Sequence, residues 1–112
     1  MADQELLGSK CVPCEGGTAP IAENEIADLL RRIPLWSRCS DGPGIQRTFR
    51  FSDYLASISF ITAVAWMAER EGHHPLVDLG YKQCTIRYYT HAINGLSQND
   101  FICAAKVDDL FE

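Results

Sequence analysis

The chain has 112 residues, 46% of them hydrophobic, and a formal net charge of −5. A chain of this length forms one domain that can bury a core without disulfides or a metal. No apolar run approaches the roughly 18 residues of a membrane span. The ten basic residues form no run, which argues against direct binding of DNA or RNA.

The first 20 residues are predicted to form an ordered N-terminal arm. Residues 1–10 lack the basic start and apolar stretch of a signal peptide, so we expect a cytoplasmic protein. An odd number of cysteines, five, fits a reducing compartment. Cys11 and Cys14 have the CxxC spacing of redox or zinc sites, but a second pair is missing and loop composition follows. We therefore predict an N-terminal arm, residues 1–20, and a single domain, residues 21–112.

The domain begins with a predicted helix and hairpin. Apolar residues at helical spacing predict a helix over residues 22–33, which Pro34 ends. Residues 35–38 are typical of a short strand and residues 40–44 of a turn. Alternation of apolar and polar side chains then predicts a half-buried strand over residues 45–51.

A long helix over residues 53–71 is the next predicted element, with Ser52 as its N-cap and Asp53 in its first turn. The main apolar face comprises Tyr54, Leu55, Ile58, Ile61, Ala65 and Ala68, and a second stripe comprises Phe60, Val64 and Met67. A helix that is apolar on two sides lies between layers or contacts another subunit. In so small a chain the pattern favours the subunit contact.

The last third of the chain predicts a loop over residues 76–80, a strand over residues 81–91 and a final helix capped by Ser97. One strand face, the predicted core face, comprises Cys84, Ile86, Tyr88 and Thr90. His91 stands on the opposite face, beside Tyr89 and Arg87. The stripe of the final helix comprises Phe101, Ala104, Ala105, Val107 or Asp108, and Phe111.

All three histidines, His73, His74 and His91, lie in the stretch from residue 69 to residue 100. Imidazole exchanges protons near neutral pH, so the group predicts an acid–base site. A catalytic triad lacks a nucleophile in a strained turn, and a metal site lacks an HExxH or a second CxxC. Asp100 is interpreted either as a first-turn acid of the final helix or as a neighbour of His91 that orients or charges its imidazole.

Three motifs carry a family resemblance: Glu69-x-x-x-His73-His74-Pro75, Thr90-His91 and Gly95-Leu96-Ser97-x-x-Asp100. In this order and spacing they resemble the pterin-4a-carbinolamine dehydratase family, over about residues 20–110. The resemblance implies an α+β fold, a four-stranded antiparallel sheet with three helices packed on one face. It also implies dimers or tetramers formed through the long helix.

The family is a set of hydro-lyases that need no metal or cofactor. The resemblance implies dehydration of 4a-hydroxytetrahydropterin, the by-product of aromatic amino acid hydroxylases, to quinonoid dihydropterin and water. By position, His73 and His91 would transfer protons and His74 would hold and polarise the substrate; which imidazole is the acid stays open. The family commonly has Asp or Glu after the His-His-Pro motif, whereas Leu76 and Val77 follow here.

Four further residues correspond to substrate-binding positions of the family. Pro75 and Thr90 would shape the pocket, and Glu69 and Asp100 would orient or tune the histidines. Two alternatives belong to other functional classes. Some members act as a dimerisation cofactor of a transcription factor through the helical surface, here Phe60, Val64 and Met67; others could bind a pterin in another pathway.

Overall fold

The structure, a computed structural model, describes residues 3–12 and 19–111. Its helices are α1 (Gln4–Gly8), α2 (Glu23–Arg32), α3 (Tyr54–Glu71) and α4 (Gln98–Phe111), with a 3₁₀ turn at His91–Ile93. Its strands are β1 (Ser37–Arg38), β2 (Ile45–Arg50), β3 (Leu76–Leu79) and β4 (Gln83–Tyr88). Cys14, the second cysteine of the CxxC spacing, lies outside the described residues, as does part of the predicted arm.

The four strands form one antiparallel sheet in the order β1-β2-β4-β3, which confirms the α+β class and the predicted hairpin. Side chains of β2 and β4 alternate between a buried face and a polar face, and the helices cover the buried one. That face carries Ile45, Phe49, Cys84, Ile86 and Tyr88, none more than 1% exposed. The core face predicted for the fourth strand is therefore confirmed.

Strand β3 corrects the prediction of a loop over residues 76–80. Leu76–Leu79 pairs with β4, with Leu76 opposite Arg87. All four of its side chains are exposed, so the sequence carries no alternation between buried and polar positions that could reveal a strand. The predicted strand over residues 81–91 is shorter in the structure and ends at Tyr88, before the 3₁₀ turn.

Helix α3 begins at Tyr54, one residue later than predicted. Asp53, not Ser52, is the N-cap, and its side chain accepts a hydrogen bond of 2.8 Å from the backbone N–H of Ala56. The helix ends at Gly72, which has a left-handed φ of 68°, a conformation that glycine adopts without steric cost.

The two apolar stripes of α3 do not match the predicted subunit contact, since the second stripe is buried and the main face is buried only in part, with Ala68 at 1% exposure. Phe60, Val64 and Met67 are at most 7% exposed and belong to the core, so they are not a subunit contact. Phe60 packs against Phe49, with ring centroids 4.8 Å apart, and this aromatic contact selects the buried stripe. The exposed apolar residues of the other face include Leu55, at 74%, and Trp66, at 72%.

Helix α4 is buried on more sides than the single predicted stripe, because the unpredicted helix α1 packs against it. Leu6 of α1 is buried, and the Lys106 ammonium of α4 donates a hydrogen bond of 2.8 Å to the Leu7 carbonyl. This packing carries the following residues, up to Val12, along the start of α4. Within the described ranges, no helix has the length and apolar character required to cross a membrane.

Candidate active site

A cavity of about 630 Å³ lies where the end of α3, the 3₁₀ turn, the start of α4 and the N-terminal segment meet. This volume is typical of small-molecule sites. The lining comprises Cys11, Val12, Glu71, Gly72, His73, His74, Tyr89, Thr90, His91, Ala92 and Asn99. The three histidines that the sequence grouped therefore line one cavity.

Local backbone geometry places the histidines at the cavity. Gly72 ends α3 and directs His73 and His74 away from the helix axis. On the other side, the backbone N–H of Thr90 donates a hydrogen bond of 2.8 Å to the carbonyl of Gly95. This hydrogen bond closes the loop that contains the 3₁₀ turn and His91.

One side of the site is a buried hydrogen-bond network around Asp100, which is 0% exposed. The His73 ring nitrogen Nε2 lies 2.7 Å from Asp100 Oδ1. The other oxygen, Oδ2, accepts hydrogen bonds of 2.9 Å from the Thr90 hydroxyl and from the Ser97 backbone N–H. Asp100 thus satisfies an N–H before α4 and contacts an imidazole, but that imidazole belongs to His73 and not to His91, the neighbour predicted from the sequence.

The contact with Asp100 also bears on the tautomer of the His73 ring. An ionised carboxylate only accepts hydrogen bonds, so it pairs with the tautomer whose hydrogen is on Nε2, and Nδ1 is then the ring nitrogen that can accept. The ring stacks on that of Tyr88, with centroids 5.4 Å apart and an interplanar angle of 11°. Burial raises the pKa of the Tyr88 phenol, so this stacking partner is neutral.

The other two histidines have weaker and more exposed partners. Nε2 of His74 lies 3.2 Å from Oε1 of Glu69, and the two side chains are 59% and 75% exposed. Nδ1 of His91 lies 3.2 Å from the Tyr89 hydroxyl. Solvent competes for both contacts, so these rings are less firmly held than His73.

The structure separates the four residues assigned to substrate binding. Thr90 lines the cavity, and Asp100 lies behind His73. Glu69 and Pro75 border a second, apolar groove of about 180 Å³ between α3 and β3. His74 lines both spaces, so Glu69 reaches the main cavity through its contact with His74.

The sequence did not predict the wall that the N-terminal segment provides. The backbone N–H of Cys11 donates a hydrogen bond of 3.0 Å to Glu71. Val12 and Asn99 exchange two hydrogen bonds, 3.0 Å from the Val12 N–H and 2.6 Å to its carbonyl. These partners are 60 and 87 residues apart in the chain. The CxxC spacing drew attention to the segment, but no periodic pattern reveals such pairings.

Glu71 is the charged group of this wall. Burial acts to raise the pKa of its carboxyl, but the Cys11 N–H and the Lys106 ammonium, 3.7 Å away, act against burial. The result is a pKa below the ordinary value for glutamate. The carboxylate therefore remains charged near neutral pH and keeps accepting the hydrogen bond from Cys11.

The donors around the cavity suit acid–base chemistry. Within residues 3–12 and 19–111, no three histidine, cysteine or acidic side chains are grouped to hold a metal ion. His73 contacts the buried Asp100 carboxyl group, His91 contacts a tyrosine hydroxyl and His74 contacts an exposed carboxylate. Such rings can give and take protons at a bound molecule.

Comparison with known proteins gives consistent matches over most of the chain. The family model described as pterin 4 alpha carbinolamine dehydratase matches residues 19–110. A relative from Nitrosospira multiformis, named as a presumed pterin-4-alpha-carbinolamine dehydratase, is 45% identical over 96% of this chain and 94% of its own. A relative of the same name from Nitrosomonas eutropha is 48% identical over 95% of this chain and 93% of its own.

Two solved structures resemble the fold of this chain. The first, described as a transcriptional coactivator/pterin dehydratase from Brucella melitensis, has a TM-score of 0.79 and 27% identity, over 83% of this chain and 99% of the other. The second, described as a pterin dehydratase-like RuBisCO assembly factor of the alpha-carboxysome, has a TM-score of 0.58 and 26% identity, over 67% and 87% of the chains. The matching family model, the relatives and the shared fold agree: the chain belongs to the pterin-4-alpha-carbinolamine dehydratase family, a family of hydro-lyases.

Proposed function

We propose that this protein dehydrates 4a-hydroxytetrahydropterin to quinonoid dihydropterin and water, with the histidines of the cavity as its acid–base groups. The observation that carries the proposal is that three imidazoles line one cavity of about 630 Å³. One of them, His73, is held by a fully buried carboxylate. Family membership supports the same chemistry.

The reaction needs two proton transfers. The bond between C4a and the hydroxyl oxygen breaks, and the oxygen must take up a proton to leave as water. The neighbouring ring nitrogen must lose a proton so that its electron pair forms the new carbon–nitrogen double bond. A site with two imidazoles can provide both the acid and the base.

The contacts of the rings support a division of roles. With Nε2–H donated to Asp100, His73 has Nδ1 as its basic nitrogen, and the carboxylate stabilises the imidazolium that forms on proton uptake. We assign His73 as the base. In its protonated form His91 donates from Nδ1 to the Tyr89 hydroxyl, and the hydrogen on Nε2 is the one that it can give to a bound molecule. We assign His91 as the acid.

The remaining residues are proposed to hold the substrate. His74, on the open side of the cavity, would bind and polarise it, with Glu69 orienting the ring at 3.2 Å. Thr90 would shape the wall beside His91, and Pro75 the edge of the neighbouring groove. In the cell, we place the activity in the cytoplasm, where it would recycle the pterin released by an aromatic amino acid hydroxylase.

The test is the rate at which metal-free protein accelerates dehydration of freshly generated 4a-hydroxytetrahydropterin. We expect acceleration by the wild type, and a loss of about 10²-fold or more in each of His73→Ala and His91→Ala. The double variant His73→Ala/His91→Ala should be close to the uncatalysed rate. Circular dichroism should show that the variants are folded; a folded wild type without activity would overturn the proposal.

We further propose that the chain associates with itself through surfaces other than the stripe predicted from sequence. The exposed face of α3 presents Leu55 and Trp66, and the edge strand β3 presents Leu76, Val77 and Leu79 at 38–55% exposure. An unpaired strand edge that carries apolar side chains is suited to pairing with a second copy.

Sedimentation measurements on Trp66→Glu and Val77→Lys test this association. Both substitutions replace exposed side chains, so the monomer should remain folded while the mass of the assembly falls. A wild type that sediments as a monomer at micromolar concentration would contradict it. The transcription-factor cofactor role of some family members would use the same surface. If this chain has that role, the two variants should lose the protein partner and keep dehydratase activity.

A further inference from the structure

Two cysteine sulfurs meet in the wall of the cavity. Sγ of Cys11 lies 3.3 Å from Sγ of Cys103. Cys11 is partly exposed and lines the cavity, whereas Cys103 on α4 is 0% exposed. A molecule in the cavity can therefore reach Cys11, whereas Cys103 is shielded from solvent.

The position of Cys11 is set by its backbone as well as by its side chain. Its N–H is bound to Glu71 at 3.0 Å, and the next residue, Val12, exchanges two hydrogen bonds with the side chain of Asn99. Asn99 and Cys103 lie one turn apart on α4. The contacts that hold the N-terminal segment against α4 thus also keep the two sulfurs close together.

The two sulfurs are close enough for a bond to form after a small movement. A disulfide has a sulfur–sulfur length of about 2.05 Å, so the sulfurs need to approach by little more than an ångström. The hydrogen bond with Cys11 and burial both raise the pKa of the Cys103 thiol. Cys103 is therefore protonated and shielded from oxidants, which leaves Cys11 as the thiol that reacts first.

We propose that Cys11 and Cys103 form an oxidation site at which a hydroperoxide converts two thiols into a disulfide that joins the N-terminal segment to α4. In the first step the Cys11 sulfur attacks the peroxide and breaks its oxygen–oxygen bond, which gives a sulfenic acid and water or an alcohol. In the second step the Cys103 sulfur attacks the Cys11 sulfur, and its proton leaves with the hydroxyl as water. Two electrons pass from the thiols to the peroxide.

The reverse step needs only a small thiol. Attack on the sulfur of Cys11, a residue of the cavity lining, gives a mixed disulfide, and a second thiol completes the reduction. In the oxidised form the cavity wall made by residues 11 and 12 is covalently fixed to α4, beside the helix turn that holds Asp100. This inference concerns thiol chemistry and stands independently of the proposed dehydratase activity.

Peptide mapping of the full chain tests the proposal. Reduced protein is treated with an equimolar amount of hydrogen peroxide, remaining thiols are alkylated, and a tryptic digest is analysed by mass spectrometry without reduction. Trypsin cuts after Lys10, Arg31, Arg87 and Lys106. We expect a disulfide-linked pair of the peptides 11–31 and 88–106, which dithiothreitol separates.

Variants distinguish the cysteines, because peptide 11–31 contains both Cys11 and Cys14. The linked pair should persist in Cys14→Ser and in the control Cys84→Ala, and disappear in Cys11→Ser. In Cys103→Ala, dimedone should trap Cys11 as the sulfenic acid; the wild-type map keeps the test valid if this variant does not fold. A disulfide within peptide 11–31, a link between two chains, or no loss of thiols would each overturn the proposal.

Discussion

The two sides of the histidine cavity differ in how firmly they hold their imidazoles. On the buried side, His73 has a side chain that is 12% exposed and a partner, Asp100, that is 0% exposed. On the open side, His74 and Glu69 are 59% and 75% exposed, and His91 contacts Tyr89 through the hydroxyl and through the edge of the ring. One side is therefore organised before substrate arrives, whereas the other can be ordered by the substrate itself.

The difference has an energetic consequence. Hydrogen bonds that are shielded from water are electrostatically stronger, and removing one partner leaves a buried polar group unsatisfied. Exposed ion pairs contribute about 0–1 kcal/mol. Substitutions of similar size should thus have unequal effects on the two sides.

Asp100→Asn should have the largest effect, a fall in kcat of about 10²-fold or more. The amide keeps the shape of the carboxylate but removes the charge that stabilises a protonated His73. It also turns an acceptor into a donor in a network of three donors. Steady-state kinetics and urea unfolding should show losses of both activity and stability.

Asp108→Asn is the matched control, since Asp108 is also a buried acid of α4. Its Oδ1 accepts hydrogen bonds from Trp36 at 2.9 Å and from Arg47 at 2.5 Å, away from the histidines. This variant should lose stability and keep its kcat. Equal losses of kcat in both variants would show that the effect of Asp100 is only structural.

Tyr89→Phe should have a smaller effect, a fall in kcat of roughly 2- to 12-fold. This range corresponds to the 0.5–1.5 kcal/mol of one hydrogen bond, because only the contact between the hydroxyl and Nδ1 of His91 is lost. The pH profile of kcat should shift in this variant, while KM and the unfolding curve change little. An unchanged pH profile would contradict the role of Tyr89 as a positioning residue.

Glu71→Gln tests the N-terminal wall through stability at different pH values. The pKa of Glu71 is lowered in the folded protein, so its contribution is present above the unfolded value of about 4.3 and is lost as pH falls through the folded pKa. The difference in free energy of unfolding between wild type and variant should therefore shrink between pH 6 and pH 3. A difference that is constant over this range would contradict the charged state assigned to Glu71.

Glu69→Gln should have the smallest effect, less than about fivefold in kcat/KM, as expected for an exposed pair. Even this effect should decline at high salt, because solvent ions screen the contact with His74. Activity measured at two ionic strengths checks it. A loss as large as that of Asp100→Asn would show that the open side is as pre-organised as the buried side.

The sequence predicted those parts that depend on local pattern. The alternation of Cys84, Ile86 and Tyr88 gave the buried sheet face, the helix predicted over residues 53–71 gave the end of α3, and the motif residues gave the three histidines of the cavity. The role of Asp100 as a first-turn acid was available from its position in the final helix, whereas its pairing with His73 rather than His91 was not.

Other parts depend on contacts between distant residues and left no local signal. Helix α3 has two apolar stripes, and only the aromatic partners of Phe60 determine which one is buried. Strand β3 exists because β4 supplies its hydrogen-bond partners. The pairing of Val12 with Asn99 joins residues 87 positions apart, which no spacing rule anticipates.

Asp100 makes enzymatic activity a reporter of local unfolding. The same carboxylate binds the Ser97 N–H before α4 and the ring of His73, so opening the first turn of α4 releases the imidazole. Helix ends open at a lower free energy than the core. Activity should therefore decline at a denaturant concentration below the midpoint of global unfolding, and the gap between the two curves measures the stability of that single turn.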